Sequence, residues 1–276
     1  MSIGTYILTH DVGTTSNKTC LYRLGEGIEL VESALADYAL TTTPEGGAQQ
    51  DAGDWWAAIC KATRVVIGHS GIDPAQIQGM AFCAQMQAFV PVDDQGEVLR
   101  NPMIYMDQRS TVQMERGLQH GFPRIEGWNA YKTLRSLQIT GGLSASVKDP
   151  VWKYLWMRDN EPELFAQLHK WLDVNDYLVL RSTGVFSMGV DSANVTFMCD
   201  TRPGKISWSE TICELFEVDI DHLPPIIQST DVAGELTAGA AEELGLVAGI
   251  PVFGGGGDLS LISIGAGCFD LYDTHI

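Results

Sequence analysis

The chain has 276 residues, of which 45% are apolar, so it can bury a large core and does not have the composition of a disordered protein. Its formal charge of −18 repels phosphate backbones, which disfavours a nucleic-acid partner and is typical of an acidic cytoplasmic enzyme. No run of 18 apolar residues predicts a membrane span, and six cysteines without a CxxC pair predict reduced thiols.

The first forty residues predict three strands. Residues 5–12 alternate in polarity, residues 18–22 are again rich in strand formers, and turn residues lie between them at 13–17, which predicts a β-hairpin. A third strand is expected near residues 29–40. The protein is therefore expected to open with neighbouring strands of one sheet.

A helix and two more strands are predicted next. Apolar residues at helical spacing predict a helix from Asp51 to His69, with Asp51 or Asp54 as its N-cap. Short apolar runs at 77–83 and 88–92 predict strands. The order of hairpin, strand, helix, strand and strand indicates an α/β domain with a mixed sheet flanked by helices, and not the regular alternation of a barrel.

The second half is predicted to be mainly helical. Asp149-Pro150 is an N-cap and first-turn signal, and a short helix or strand is expected at 174–180. Three further helices are predicted, at 162–170, 207–216 and 240–246. An apolar segment then leads into four glycines and Asp258, so we expect a first domain at 1–249 and the start of a second, truncated domain at 250–276.

The first motif lies at the end of the first predicted strand, in Asp11-Val12-Gly13-Thr14-Thr15-Ser16. Backbone N–H groups and hydroxyls in such a turn can hold phosphate oxygens, and a carboxylate beside them can hold Mg²⁺. A plain β-turn with a capping aspartate is the commoner explanation of these residue types.

This segment resembles the first phosphate loop of the sugar kinase, actin and heat-shock ATPase superfamily, and more closely that of the FGGY carbohydrate kinases. Further segments resemble the same family in the same order; they are 50–56, 85–87, 92–109, 149–153, 160–163 and 254–258. The chain departs from the family pattern at Gln49, where Glu is usual, and at Ala52, where Pro is usual. Gln87 stands where xylulokinases usually carry His, and Tyr105 where Trp is frequent.

The resemblance implies a ribonuclease-H-like fold and an ATP-dependent, Mg²⁺-dependent transfer of a phosphoryl group to a sugar or polyol hydroxyl. A ketopentose such as xylulose is the first expectation, and glycerol, ribulose, gluconate and a tetritol remain alternatives. A homodimer is possible. Two other classes stay open: a nucleotide-switch protein without a small substrate, and a non-catalytic sugar-binding module.

The resemblance also implies roles for individual residues. Asp258 is expected to be the catalytic base and to touch the substrate; Asp11 is expected to hold Mg²⁺. Phosphate contacts are expected from Gly13, Thr14 and Thr15, and sugar contacts from Gln85, Met86, Gln87 and Asp107.

The four glycines before Asp258 allow two interpretations from the residues alone. They could form a flexible interdomain linker that ends in an exposed acid. Alternatively, they could let the backbone approach a substrate closely and present Asp258 to it. A carboxylate within hydrogen-bond reach of a sugar hydroxyl can take its proton during phosphoryl transfer.

Overall fold

A computed structural model of the chain describes residues 5–268 and residue 270. Its strands are β1 (Thr5–Val12), β2 (Ser16–Leu24), β3 (Ile28–Asp37), β4 (Thr41–Thr42), β5 (Ala48–Gln49), β6 (Ile77–Ala84), β7 (Val90–Val92), β8 (Arg124–Ile125), β9 (Trp128–Asn129), β10 (Lys170–Leu172), β11 (Met188–Gly189), β12 (Cys199–Asp200), β13 (Ser207–Trp208), β14 (Ile226–Ile227), β15 (Val232–Glu235), β16 (Pro251–Phe253) and β17 (Gly256–Gly257). Its α-helices are α1 (Ala52–Ser70), α2 (Thr111–Gln119), α3 (Ala130–Thr140), α4 (Pro150–Asn160), α5 (Pro162–Phe165), α6 (Val174–Thr183), α7 (Val190–Val195), α8 (Glu210–Phe216), α9 (Ala238–Leu244) and α10 (Asp258–Gly265). None of these described helices has the length and apolar character needed to span a bilayer.

One large mixed sheet organises the fold. Its strands lie in the order β15, β16, β6, β1, β2, β3, and β17 also pairs with β6. Strand β2 is antiparallel to both of its neighbours, β1 and β3, whereas β6 runs parallel to β1, and both β16 and β17 run parallel to β6. The predicted hairpin, the third strand and the mixed α/β sheet are therefore confirmed.

Helix α1 packs on the sheet, and it begins where the sequence predicts. The side chain of Asp51 accepts a hydrogen bond from the backbone N–H of Gly53 at 2.7 Å, so the first turn is capped. The apolar stripe of Trp55, Ile59 and Val66 is fully buried in the main core, which lies between this helix and the sheet. Helical periodicity predicts this element well because its buried face is continuous.

A second core lies beside the sheet, among α2, α3, α4, α8 and the pair β7–β10. Its centre is aromatic: Trp152 and Tyr154 from α4 pack with Trp171 from β10 and Phe216 from α8. Because α4 contributes to this core along most of its length, its position is fixed relative to the residues that follow β6.

Two helices are shorter in the structure than the sequence predicts. The helix predicted at 162–170 ends at Phe165, since Lys170–Leu172 instead forms a strand antiparallel to Val90–Val92. The helix predicted at 207–216 begins at Glu210, where the Ser209 side chain caps it. In both cases strand pairing outweighs the local helical pattern: Lys170–Leu172 pairs with the distant β7, whereas Ser207–Trp208 forms a short hairpin with the nearby β12.

The residues after 250 add to the same sheet. Val252 of β16 lies opposite Met80 of β6, and Gly257 of β17 lies opposite Ala84. The domain boundary at 250 stays a prediction, but the segment that directly follows it completes the sheet of the first domain. Residues 269 and 271–276 of the predicted second domain lie outside the described residues.

Candidate active site

The carboxyl ends of three neighbouring parallel strands meet at the candidate site. Asp11 of β1 and Gly256 of β17 both lie opposite Cys83 of β6 in the sheet register. Asp258 follows β17 directly and is the first residue of α10. The parallel pairing therefore brings Asp11 and Asp258, from opposite ends of the described chain, to the same edge of the sheet.

These groups interact electrostatically. Burial, together with the negative charge of Asp11, raises the pKa of the Asp258 carboxyl group above its ordinary value. Burial, followed by the charges of Asp11 and Asp258, raises the pKa of the Cys83 thiol to about 12, so this thiol stays protonated. The edge is thus an electronegative cluster that favours a bound cation.

A cavity of about 230 Å³ opens beside Asp258. The residues that line it are Met86, Gln87, Tyr105, Val195, Asp258 and Leu259. The lining combines a carboxylate, an amide, a phenol and apolar surface, and these six residues include no cationic side chain. Such a lining suits a small, neutral molecule with several hydroxyl groups.

Gln87 enters this cavity from a constrained backbone. Its φ is 64°, in the left-handed region that residues other than glycine rarely occupy. The backbone N–H of Gln87 donates to Asp173 at 2.8 Å, and its carbonyl oxygen accepts from the Lys153 ammonium at 2.5 Å. Its side-chain amide lies 3.4 Å from the carboxylate of Asp149.

Two predicted sugar contacts are not among the residues that line the cavity. Gln85 is buried, and its amide nitrogen donates to the side-chain oxygen of Gln50 at 2.7 Å. Asp107 is fully buried, and it accepts from the backbone of Ala48 at 2.8 Å and from the guanidinium of Arg109 at 2.7 Å. Both side chains brace segments around the site, whereas Met86, Gln87 and Asp258 reach the cavity itself.

Hydrogen bonds to its carbonyl oxygens hold the turn after β1 in place. The phenol of Tyr38 donates to the carbonyl oxygen of Gly13 at 2.5 Å, and the Gln50 amide donates to that of Thr14 at 2.7 Å. The hydroxyl of Thr14 lies 3.3 Å from the phenol of Tyr105, which joins the turn to the sugar-sized cavity. The turn is therefore fixed through its carbonyl groups, while Thr15 remains exposed.

The family resemblance implies Mg²⁺, and the residues present fit that ion. The described residues contain no group of three or more His, Cys, Asp or Glu side chains that could hold a metal alone. Mg²⁺ is commonly bound through one or two carboxylates together with water and substrate phosphates. Asp11 supplies an exposed carboxylate beside the turn, and Asp258 adds negative charge nearby, which matches that mode of binding.

The four glycines before Asp258 do not form a flexible linker in this structure, because two of them form β17. They approach the protein's own atoms closely. A Cβ at Gly255, whose φ is +65°, would lie 2.3 Å from the carbonyl oxygen of Phe82, and one at Gly257 would lie 2.0 Å from the sulfur of Met86. The glycines thus let β17 and Asp258 lie directly against the end of β6.

The buried charged residues that contact Gln87 were not predicted from the sequence. Lys153 and Asp173 were not singled out, and Asp149 was predicted to cap α4. The helix begins as predicted, but the Asp149 carboxylate instead accepts from the hydroxyl of Ser144 at 3.1 Å and from the backbone of Ser146 at 2.9 Å. A charged residue within an apolar stretch, such as Lys153 between tryptophans, is the signal that could have identified them.

Comparison with known proteins places the chain in a family. Residues 6–265 match the N-terminal domain of the FGGY family of carbohydrate kinases. The chain is 27% identical to xylulose kinase of Bacillus subtilis over 95% of its own length and 49% of that protein. It is 30% identical to L-xylulose/3-keto-L-gulonate kinase of Escherichia coli over 98% of its own length and 52% of that protein.

Solved structures agree on the fold. Ligand-bound xylulose kinase from Lactobacillus acidophilus superimposes with a TM-score of 0.82 at 22% identity, over 95% of this chain and 50% of that one. Glycerol kinase from Plasmodium falciparum gives a TM-score of 0.81 at 19% identity, over 97% of this chain and 51% of that one. These likenesses confirm the predicted sugar-kinase, ribonuclease-H-like fold, and the chain spans about half the length of the curated relatives it matches. The match to the family's N-terminal domain over residues 6–265 shows that the chain belongs to the FGGY family of carbohydrate kinases.

Proposed function

We propose that this chain provides the sugar-binding half of an ATP-dependent kinase that phosphorylates a hydroxyl of a neutral ketopentose such as xylulose. The observation that carries the proposal is the position of Asp258, whose carboxylate lines the small cavity and lies close enough to Asp11 to be affected by its charge. Similarity to the xylulose kinase of B. subtilis supports a xylulose-type substrate, as does similarity to the L-xylulose/3-keto-L-gulonate kinase of E. coli, whose second substrate is a sugar acid.

Asp258 acts as the general base in this proposal. A sugar hydroxyl in the cavity donates to its carboxylate, and the proton moves to Asp258 as the hydroxyl oxygen attacks the γ-phosphorus of ATP. The bond from that phosphorus to the β–γ bridging oxygen breaks, and ADP leaves. Because burial and Asp11 raise the pKa of Asp258, its carboxylate is a better proton acceptor than an ordinary aspartate.

Asp11 and the turn after β1 organise the ATP phosphates. Thr14 and Thr15 offer N–H groups and hydroxyls to the phosphate oxygens, and Asp11 holds Mg²⁺. The N–H of Gly13 instead donates to the Ser16 carbonyl oxygen at 3.0 Å, so Gly13 shapes the turn and lets phosphate approach without a side chain in the way. When bound, the ion neutralises negative charge on the phosphates. Tyr38 and Gln50 fix the carbonyl groups at the back of the turn, so the phosphate-facing groups are held in place.

The cavity lining supports a neutral sugar over a sugar acid. Asp258 repels a substrate carboxylate, and no Arg or Lys is among the six lining residues to compensate for it. The amide of Gln87 can donate to one hydroxyl and accept from another, which suits a polyol. Ribulose, glycerol and a tetritol share this chemistry and remain alternatives to xylulose, whereas gluconate fits less well.

A non-catalytic sugar-binding module is the second candidate, because the chain spans about half the length of its curated relatives. Such a module would bind a sugar in the same cavity as the proposed kinase but would not catalyse phosphoryl transfer. A nucleotide switch without a small substrate would leave the cavity beside Asp258 without a function. Location in the cytoplasm, proposed from the acidic composition, agrees with free cysteines at all six positions. The possible homodimer stays a prediction.

The proposal is tested by binding and by turnover. Isothermal titration of the chain with D-xylulose, L-xylulose, ribulose, glycerol and gluconate is expected to show saturable binding of a neutral sugar or polyol and none of gluconate. A coupled assay on the full-length protein is expected to show ADP release that depends on the same sugar. Absence of binding to every neutral compound, or ADP release with gluconate alone, would contradict the proposal.

A further inference from the structure

The sequence around Gln87 does not explain the backbone conformation of this residue. A residue with a side chain at φ 64° is strained by about 1–3 kcal/mol, so the surrounding structure must hold it there. In this conformation Gln87 lines the cavity together with Met86 and Asp258. The contacts that maintain this conformation therefore determine the shape of the cavity.

The carboxylate of Asp173 holds one side of the strained residue. Its two oxygens accept from the consecutive backbone N–H groups of Gln87 and Ala88, at 2.8 and 2.9 Å. The same carboxylate accepts from the N–H of Val174 at 2.8 Å, at the first turn of α6. Asp173 thus ties the segment after β6 to the start of a buried helix.

The ammonium of Lys153 holds the other side. It donates to the carbonyl oxygen of Gln87 at 2.5 Å and has no exposed surface. Burial lowers the pKa of this ammonium to about 7, although the carboxylates of Asp173, Asp107 and Asp149 act in the opposite direction. Burying a lysine is costly, and a methionine would fill similar space without that cost. The hydrogen bond to the Gln87 carbonyl oxygen is the contact that partly offsets this cost.

The two contacts act on opposite ends of one residue. Asp173 fixes the N–H of Gln87 and Lys153 fixes its C=O, so both flanking peptide planes are set by buried, charge-assisted hydrogen bonds. These two charged residues do not line the cavity themselves. Their effect on a ligand must therefore pass through Gln87.

We infer that Lys153 and Asp173 form a buried clamp that positions Gln87 for sugar recognition, and that Lys153 is a positioning residue of the sugar site. The inference rests on the proposed function, because it takes the cavity beside Asp258 to be the sugar site. The clamp is expected to affect sugar affinity and to leave the phosphate-binding turn after β1 unchanged.

A double-mutant cycle tests the clamp. Calorimetry with D-xylulose compares wild type, K153M, Q87A and K153M/Q87A. K153M is expected to weaken D-xylulose binding about ten- to hundredfold, because a displaced binding group costs about that much. Since Lys153 acts through the Gln87 side chain, K153M is expected to add little to Q87A, which shows as a coupling between the two sites.

Two further measurements separate positioning from general destabilisation. Hydrogen exchange at the backbone amides of Gln87 and Ala88 is expected to accelerate in K153M, with or without sugar. K132M removes a partly buried lysine that lies over the ring of Phe216, away from the cavity, and is expected to leave both exchange and affinity unchanged. If K153M does not fold, K153Q, whose shorter amide side chain removes the charge, replaces it.

The outcomes distinguish this inference from the proposed function. If wild type binds D-xylulose and K153M binds it equally well, or if K153M and Q87A are fully additive, the clamp is wrong and the proposed function stands. If wild type binds none of the neutral sugars in the panel, the proposed function is wrong, and a clamp that serves sugar recognition is overturned with it.

Discussion

Asp258 is the residue on which the proposed chemistry depends. It combines a raised pKa with a place in the cavity lining, which an exposed linker residue would not share. Perturbed carboxyl groups in clefts are frequent at catalytic sites, since a general base needs a suitable proton affinity.

Replacing Asp258 with asparagine is predicted to lower kcat of the full-length protein by about 10²–10⁴-fold and to leave sugar affinity within a few-fold. The amide keeps the shape and can still hydrogen-bond a hydroxyl, but it cannot accept the proton. Steady-state kinetics with saturating ATP and sugar measure the effect. Asp37→Asn, at an exposed position on β3, is the control; a kcat near wild type for Asp258→Asn would refute the catalytic role.

His10 allows a second prediction, which concerns the free-energy cost of protonating a buried imidazole. Its ring is fully buried, stacks on Phe82 at 5.1 Å, and bonds through Nδ1 to the Thr19 hydroxyl at 3.0 Å. Burial lowers the pKa of His10 to about 3, below the ordinary value of 6.5. The unfolded chain therefore takes up a proton below pH 6.5, whereas the folded chain does not until about pH 3.

The free energy of unfolding is consequently predicted to fall as the pH drops from 6.5 toward 3. It is predicted to rise again as the pH returns to 6.5. The slope from His10 approaches about 1.4 kcal/mol per pH unit well below pH 6.5. Urea unfolding of wild type and His10→Gln from pH 7 to pH 4 measures the difference, because other groups titrate in both proteins. Parallel pH curves for the two proteins would show that His10 does not carry this effect.

At this scale the sequence predicts residues by motif. Asp11, Met86, Gln87 and Asp258 are predicted because their segments resemble those of the FGGY kinases, and Met86, Gln87 and Asp258 line one cavity in the structure, while their roles stay predictions. Lys153 could not be assigned, since its partner is a backbone carbonyl 66 residues away in sequence and no local pattern encodes that contact.

Among the elements, β17 shows how a glycine-rich segment becomes rigid. Its neighbour Gly255 fits only because it lacks a side chain: a Cβ there would lie 2.3 Å from the Phe82 carbonyl oxygen and 2.6 Å from the Asn175 side-chain oxygen. A backbone carbonyl in the sheet centre cannot move aside. Close approach of three elements thus fixes where α10, and with it Asp258, begins.

Gly255→Ala is predicted to destabilise the protein by about 2–4 kcal/mol, from a left-handed φ combined with steric overlap. Gly204→Ala is the matched control. Its φ is also positive, +77°, but no atom lies within 4 Å of the added Cβ, so only about 1–2 kcal/mol is expected. Urea unfolding measures both; equal losses would show that the close contact at Gly255 relaxes without cost.

Elements with a continuous buried face are predicted best, and elements set by distant pairing are predicted worst. Helix α1 agrees with its apolar stripe, and the strands of the first hairpin agree with their alternation. The end of α5 at Phe165 could not be predicted, because the nearby Lys170–Leu172 pairs with the distant β7, a tertiary contact that local periodicity does not contain. The start of α8 at Glu210 is predicted too early, because Ser207–Trp208 forms a two-residue hairpin strand with the nearby β12, which is too short to show an alternating pattern.

Considered whole, the molecule places the sugar-sized cavity where the sheet meets its second core. Gln87 follows β6 of the main sheet, and Lys153 comes from α4 of the aromatic core. A ligand in the cavity therefore contacts residues whose positions depend on both cores. The lining of the cavity also includes Asp258 and Leu259, which follow the predicted boundary at 250, so the cavity depends on residues from both sides of that boundary.

The 276-residue chain alone is accordingly predicted to bind a neutral sugar but to release little or no ADP. Its relatives are about twice as long, and the phosphate contacts proposed here come only from the turn after β1. Thermal unfolding with 100-fold excess sugar over Kd is expected to show stabilisation of about 2.7 kcal/mol. Saturable, sugar-dependent ADP release by this chain would contradict the prediction, with Asp258→Asn as the background control.

The order of strands in the sheet also bears on how the chain folds during synthesis. Strand β6 pairs with β1 on one side early, but its other partners, β16 and β17, emerge from the ribosome far later. At translation rates of about 5–20 residues per second, the open edge of β6 remains unpaired for roughly ten seconds or more before β16 and β17 are synthesised. An unpaired edge strand is a template for aggregation, so nascent chains that stall before residue 251 are the form most in need of a chaperone.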